Sequence, residues 1–87
     1  MIFKVYGITD CPSCLRAIAD LMEHYPEKEY IFIETDFSKS YRKILKQKFS
    51  WSTFPIITTL DEEGVEELIG GYDDLCYLLD KENREPT

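Results

Sequence analysis

Apolar residues along the chain switch between two periods, and the switches separate strand-like from helix-like segments. Ile2 to Tyr6 is a short apolar run of strand type. From Pro12 to about Tyr25, Leu15, Ile18, Ala19 and Met22 recur at i, i+3, i+4 and i+7, which is one helix face, and Pro26 closes that helix. Tyr30 to Glu34 is rich in aromatic and β-branched residues and predicts a second strand. Ser38 or Ser40 is suited to cap a second helix that reaches about Phe49. After the loop Ser50-Trp51-Ser52-Thr53-Phe54-Pro55, the runs Ile56 to Leu60 and Val65 to Ile69 flank Asp61-Glu62-Glu63-Gly64 and predict a hairpin. Gly70-Gly71 breaks the second run, and Leu75, Leu78 and Leu79 give a last helix its apolar face. The order β-α-β-α-β-β-α predicts an α/β fold, a mixed sheet with helices on its faces. Residues 81–87 are expected to form a flexible tail.

Composition sets bounds on this picture. Eighty-seven residues, 44% of them hydrophobic, suit a single domain over 1–87 with one small core. No run approaches the roughly 18 apolar residues of a membrane span. The start Met1-Ile2-Phe3-Lys4-Val5-Tyr6 lacks the basic and then long apolar order of a signal peptide, so a cytoplasmic protein is expected. A net charge of −7 argues against nucleic acid or an anionic membrane as partner, because both would repel the chain at long range. Most of the acids, at Asp61 to Glu63, Glu66, Glu67 and Asp80 to Glu85, read as solvated surface.

The chemistry concentrates in Cys11-Pro12-Ser13-Cys14, at the junction of the first strand and the first helix. A helix N-terminus carries unpaired N–H groups and partial positive charge, which favours the thiolate of Cys11 over its thiol. Cys11 is therefore the candidate nucleophile, and Cys14 in the first turn is within reach of it. Pro12 occupies the first helical position, where its missing N–H costs nothing. Asp10 puts a carboxylate beside Cys11 and opposes the dipole, with Arg16 as a compensating charge. Only Cys76 and His24 remain as further Cys or His ligands, and neither forms a second close-spaced pair, so no metal site is expected. Cys76, next to the apolar face of the last helix, reads as an inert thiol, with a regulatory disulfide as the alternative, and Trp51 as a packing residue at the end of the second helix, with the substrate groove as its alternative place. A dithiol in a βαβ setting points instead to reversible disulfide chemistry.

At this point the chain resembles a short dithiol glutaredoxin of the thioredoxin superfamily along nearly its whole length. Cys11-Pro12-Ser13-Cys14 resembles the active-site CPYC, Thr53-Phe54-Pro55 the T-V-P loop, and Gly70-Gly71-Tyr72-Asp73-Asp74-Leu75 the GG-x-x-D motif before the last helix. The resemblance implies a thioredoxin-like fold, a four-stranded mixed sheet flanked by three helices. It implies a cis bond before Pro55, so that the Phe54 backbone lies beside the dithiol and pairs with an extended substrate as a strand pairs with a sheet edge.

The implied ligand is glutathione, a reducing co-substrate, with no tightly bound cofactor. Gly71 and the amides of Tyr72 and Asp73 at the last helix start would receive its γ-glutamyl carboxylate, and Asp74 its ammonium. Arg42 matches a helix-two position that meets the glycyl carboxylate, and Lys43, Lys46 and Lys48 on the same helix are alternative cations. Two positions depart from the family pattern: Ile8 stands where many members carry Lys, and Ser13 replaces the active-site Tyr. Weakened but measurable glutathione use is expected. The resemblance thus implies a monomeric, glutathione-linked thiol–disulfide oxidoreductase acting on protein disulfides and glutathione mixed disulfides. Two alternatives stay open: an electron donor to ribonucleotide reductase fed by a flavoprotein reductase, and a non-enzymatic dimer holding an iron–sulfur cluster, against which Pro12 argues.

Overall fold

The structure is a computed structural model that describes residues 1–83, with side chains through Lys81. Strand β1 is Ile2–Gly7, helix α1 Pro12–His24, β2 Glu29–Glu34, α2 Lys39–Phe49, β3 Ile56–Leu60, β4 Glu66–Gly70 and α3 Tyr72–Asn83. The element order is the one the periodicity implies. The strands form a four-stranded sheet in the order β2-β1-β3-β4. β1 runs parallel to β2 and antiparallel to β3, and β3 runs antiparallel to β4. This mixed sheet with three helices is a thioredoxin-like fold.

Alternation along β1 decides what each face of the sheet buries. Phe3 and Val5 point to one side, where Ala17 and Leu21 of α1 and Leu75 and Leu79 of α3 close over them together with Ile57. Tyr6 points to the other side and packs with Ile56 and Leu45 of α2, bordered by Phe49, Trp51 and Phe54. On that second face a carboxylate ties three strands to a helix. Glu66 of β4 accepts hydrogen bonds from Tyr6 Oη at 2.7 Å and Thr58 Oγ1 at 2.6 Å. Lys4 of β1 and Lys48 of α2 pair with the same carboxylate. Burial pushes the Glu66 carboxyl up, but hydrogen bonds from Thr58 and Tyr6 and the charge of Lys4 together hold it below its ordinary value. Burial and the Glu66 hydrogen bond raise the Tyr6 phenol above its ordinary range.

Local signals end the elements as the sequence leads one to expect. Ser38 rather than Ser40 caps α2, its Oγ accepting from the Tyr41 N–H at 3.0 Å. Asp61 Oδ1 accepts from the N–H groups of Glu63 and Val65, and Gly64 takes φ 86°, so the Asp61–Gly64 segment closes the β3–β4 hairpin.

β4, the end of α3 and the inward face of α1 differ most from expectation. β4 is displaced by one residue from Val65–Ile69, with a register shift opposite Ile57 and Thr58 that leaves Gly70 inside the strand. Residues 81–83 belong to α3 and not to a tail, while 84–87 lie outside the described residues. In α1 the buried stripe is Cys14, Ala17 and Leu21, whereas Leu15 and Met22, expected inside, are exposed, and so is Ala19. The helix carries apolar residues on two overlapping i, i+3, i+4, i+7 stripes. The stripe that brings Cys14 onto the sheet is the one buried.

Candidate active site

Cys11 and Cys14 are joined by a disulfide, with their Cα atoms 5.3 Å apart. Cys11 is the N-cap of α1 and Pro12 is its first helical residue, so the cysteine precedes the helix by a single position. The Cys14 N–H points back at Cys11 Sγ, 3.2 Å away. Hydrogen bonding of this kind, added to the helix dipole, stabilises a thiolate on Cys11 once the disulfide is reduced. Burial separates the roles further. Cys14 is 0% exposed, and Cys11 retains partial exposure.

Cys14 reaches that depth because of Gly7, a residue that sequence reasoning did not single out. A Cβ at Gly7 would lie 2.9 Å from the Phe32 ring and 3.0 Å from Cys14 Sγ, so only glycine lets the buried sulfur rest on β1. The Gly7 carbonyl is fixed by the N–H and Oγ1 of Thr35, at 2.8 and 2.9 Å. A lone glycine at a strand end carries no sequence signal for this use. The loop between β1 and α1 is anchored in turn. The Thr9 N–H donates to Asp36 at 2.8 Å, and its hydroxyl donates to Glu34 and Asp36. The hydrogen bonds from Thr9 hold the Asp36 carboxyl below its ordinary value.

Most of the residues proposed from sequence meet in one cleft of about 220 Å³ beside the disulfide. Ser13 lines it from α1, Thr53, Phe54 and Pro55 from the loop before β3, and Gly71, Tyr72, Asp73 and Asp74 from the start of α3. The Phe54–Pro55 bond is cis. Trp51 forms a further wall, packing against Gly71 while also bordering the Tyr6–Leu45–Ile56 cluster, so it takes both of the places the sequence left open to it. Pro12 lies exposed at the helix start, outside the lining.

Two side chains carry duties the motif does not announce. Asp74 Oδ2 accepts the Gly71 N–H at 3.0 Å, the reciprocal contact of a capping box, and Gly70 at φ 129° leaves room for that carboxylate. Tyr72 donates to Asp20 of α1 at 2.6 Å; this bond, and a second one involving Cys76, raise its phenol above the ordinary range. Cys76 is a free, half-buried thiol.

Arg42 is not brought into the cleft. Its guanidinium donates to the Thr35 carbonyl at 2.7 Å, at the end of β2. Lys46, one helical turn further on, places Nζ 5.4 Å from the centroid of the Phe54 ring and so stands over a cleft residue.

A family model described as glutaredoxin matches residues 2–65. The chain belongs to the glutaredoxin family. Its fold is similar to the solution structure of glutaredoxin from Brucella melitensis, with 27% identity, a TM-score of 0.71, and coverage of 93% of this chain and 80% of that one. It is also similar to reduced Escherichia coli glutaredoxin, with 22% identity, a TM-score of 0.69, and coverage of 98% of this chain and 100% of that one. A thioredoxin-like protein shares the fold at 20% identity and a TM-score of 0.61, covering 88% of this chain and 97% of its own. No match to a curated protein sequence was found. With the family goes the enzyme class: a glutaredoxin with this cysteine pair is a thiol–disulfide oxidoreductase. Among the described residues no helix is long and apolar enough to cross a membrane.

Proposed function

We propose that this glutaredoxin reduces protein disulfides and glutathione mixed disulfides through Cys11 and Cys14, and that glutathione returns it to the dithiol state. The reading is carried by one observation: a partly exposed Cys11 and a buried Cys14 sit beside a cleft whose far wall is the N-terminus of α3.

The reduced Cys11 thiolate attacks one sulfur of the target, forming a Cys11–substrate disulfide as the target S–S bond breaks and the leaving thiolate takes up a proton. Cys14 then attacks Cys11 Sγ, releasing the second substrate thiol and closing the Cys11–Cys14 disulfide. Two glutathione thiols reopen it and leave as glutathione disulfide, so two electrons pass from glutathione to the target.

Groups in and beside the cleft suit glutathione at both ends. The α3 N-terminus with Asp73 and Asp74 suits the γ-glutamyl carboxylate and ammonium, although Asp74 also caps the helix. For the glycyl carboxylate we assign Lys46, which already stands over Phe54, ahead of Arg42, which is committed to the Thr35 carbonyl. Losing a hydrogen bond to a charged group costs roughly 1.5–3 kcal/mol. Lys46→Ala is therefore expected to raise the glutathione Michaelis constant about tenfold or more, and Arg42→Ala to change it far less.

Ile8, an apolar neighbour of Cys11 in the position of a family lysine, favours a second reading in which a flavoprotein reductase supplies the electrons. Turnover of a small glutathione mixed disulfide, coupled in one arm to glutathione with glutathione reductase and in the other to thioredoxin reductase, separates the two. Rapid turnover with glutathione supports the first reading. Turnover confined to the thioredoxin reductase arm replaces it with the second.

A further inference from the structure

Cys11 does not line the cleft described above; it lines a second one. On its other side a groove of about 330 Å³ runs between α1 and the edge strand β2, walled by Ile8, Leu15 and Phe32 and bordered by Asp10 and Glu34. Leu15 is 68% exposed and Phe32 40%, although both are large apolar side chains next to the reactive sulfur. Water-exposed apolar area of this kind, rimmed by polar groups, is the mark of a binding surface.

Both charged residues that line the groove are acidic. Asp10 and Glu34 border it, and Asp36 is tied to the same Thr9 that binds Glu34. Of these carboxylates, Asp36 is met by the Arg42 guanidinium. The whole chain adds a net charge of −7 behind them. A segment that docks here therefore gains from positive charge at its edges and from an apolar side chain at its centre.

We propose that this groove is the docking surface for the protein half of the substrate: a segment with a large apolar residue beside its disulfide cysteine and Lys or Arg flanking it. The proposal rests on the disulfide-reductase reading and names its substrate class. The apolar side chain enters between Leu15 and Phe32, the basic residues face Glu34 and Asp10, and the target sulfur comes to Cys11. Glutathione occupies the opposite cleft, so reductant and protein substrate approach the disulfide from two sides.

The test compares three synthetic disulfide peptides that share a Cys pair: Leu beside the cysteine with Lys flanks, Leu with Glu flanks, and Ser with Lys flanks. Each is assayed at low salt with the natural chain and with Leu15→Asn, Glu34→Gln and Asp10→Asn, the last keeping a residue type that tolerates the φ of 57° at this position. In the natural chain kcat/KM is expected to favour Lys flanks over Glu flanks by about tenfold, shrinking with added salt. Glu34→Gln and Asp10→Asn are expected to cut that ratio, and Leu15→Asn to erase the advantage of Leu over Ser. A second readout uses Cys14→Ser trapped as a disulfide with the Lys-flanked peptide: amide resonances of Leu15 and Phe32 should shift more than those of Trp51 and Gly71. Reduction of all three peptides at equal kcat/KM, or shifts confined to Trp51 and Gly71, overturns the groove while leaving the oxidoreductase intact. Failure to reduce any peptide or any small disulfide overturns both.

Discussion

Between Cys11 and Cys14 the difference that matters is access. Cys11 takes the N-cap of α1 with partial exposure, while Cys14 is buried against Gly7. Iodoacetamide is expected to alkylate Cys11 of the reduced protein far faster than Cys14 near neutral pH, and peptide mapping after a short pulse reads the difference. Cys11→Ser should abolish disulfide reduction, whereas Cys14→Ser should keep turnover of glutathione mixed disulfides. Gly7→Ala forces a methyl group onto Phe32 and the buried sulfur; overpacking of this kind costs about 1–3 kcal/mol, measurable as a lower urea midpoint. Asp74 can be split into its two duties. Asp74→Asn retains an acceptor for the Gly71 N–H but loses the charge, so it should raise the glutathione Michaelis constant with stability nearly unchanged, whereas Asp74→Ala should also cost about 1 kcal/mol of stability. That Thr53 to Pro55 and Gly71 to Asp74 gather beside the cysteine pair was implied by the resemblance of each stretch to a family motif. Gly7, the capping bond of Asp74 and the engagement of Arg42 with Thr35 were not, since each depends on a partner from a distant element.

Elements were legible wherever one signal dominated. Ser38, Pro12 and the Asp61 turn fixed their boundaries to within a residue or so. The rotation of α1 was not fixed by its own pattern, because Cys14, Ala17 and Leu21 compete with Leu15 and Met22 as the inward stripe. The docking of Cys14 on Gly7 settles it and leaves Leu15 at the surface beside Cys11. Nor does any sequence period mark Glu66, which alternation places on the α2 face and which Tyr6, Thr58, Lys4 and Lys48 then converge upon. Its folded-state carboxyl lies below the ordinary 4.5, so the stability it contributes is present above pH 4.5 and lost as the pH falls through the folded value. Asp36 acts in the same direction from its ordinary 3.8. Tyr6 acts in the opposite window: its raised phenol contributes stability that is complete below pH 10.0 and lost as the pH rises beyond it. Denaturant titrations at several pH values should therefore show an acid limb that flattens, without vanishing, in Glu66→Gln. Glu66→Ala should cost roughly 1–3 kcal/mol for each buried hydroxyl left without its acceptor.

At the scale of the whole molecule, the dithiol stands where β1 meets α1, and the mixed sheet brings the loop before β3 and the start of α3 to the same end. The sequence resemblance already implied that convergence. A surface that lies on the opposite side of Cys11, between α1 and the edge of β2, belongs to no motif and emerges only from the packing. The oxidoreductase chemistry and the proposed glutathione linkage meet in a single covalent species, the disulfide between Cys11 and glutathione. Cys14→Ser, incubated with glutathione disulfide and examined by intact mass and peptide mapping, is the most direct test of it. One glutathionyl group on Cys11, released by added glutathione with return of the free thiol, is the expected result; an adduct on Cys76 with Cys11 unmodified, or no adduct at all, would contradict it.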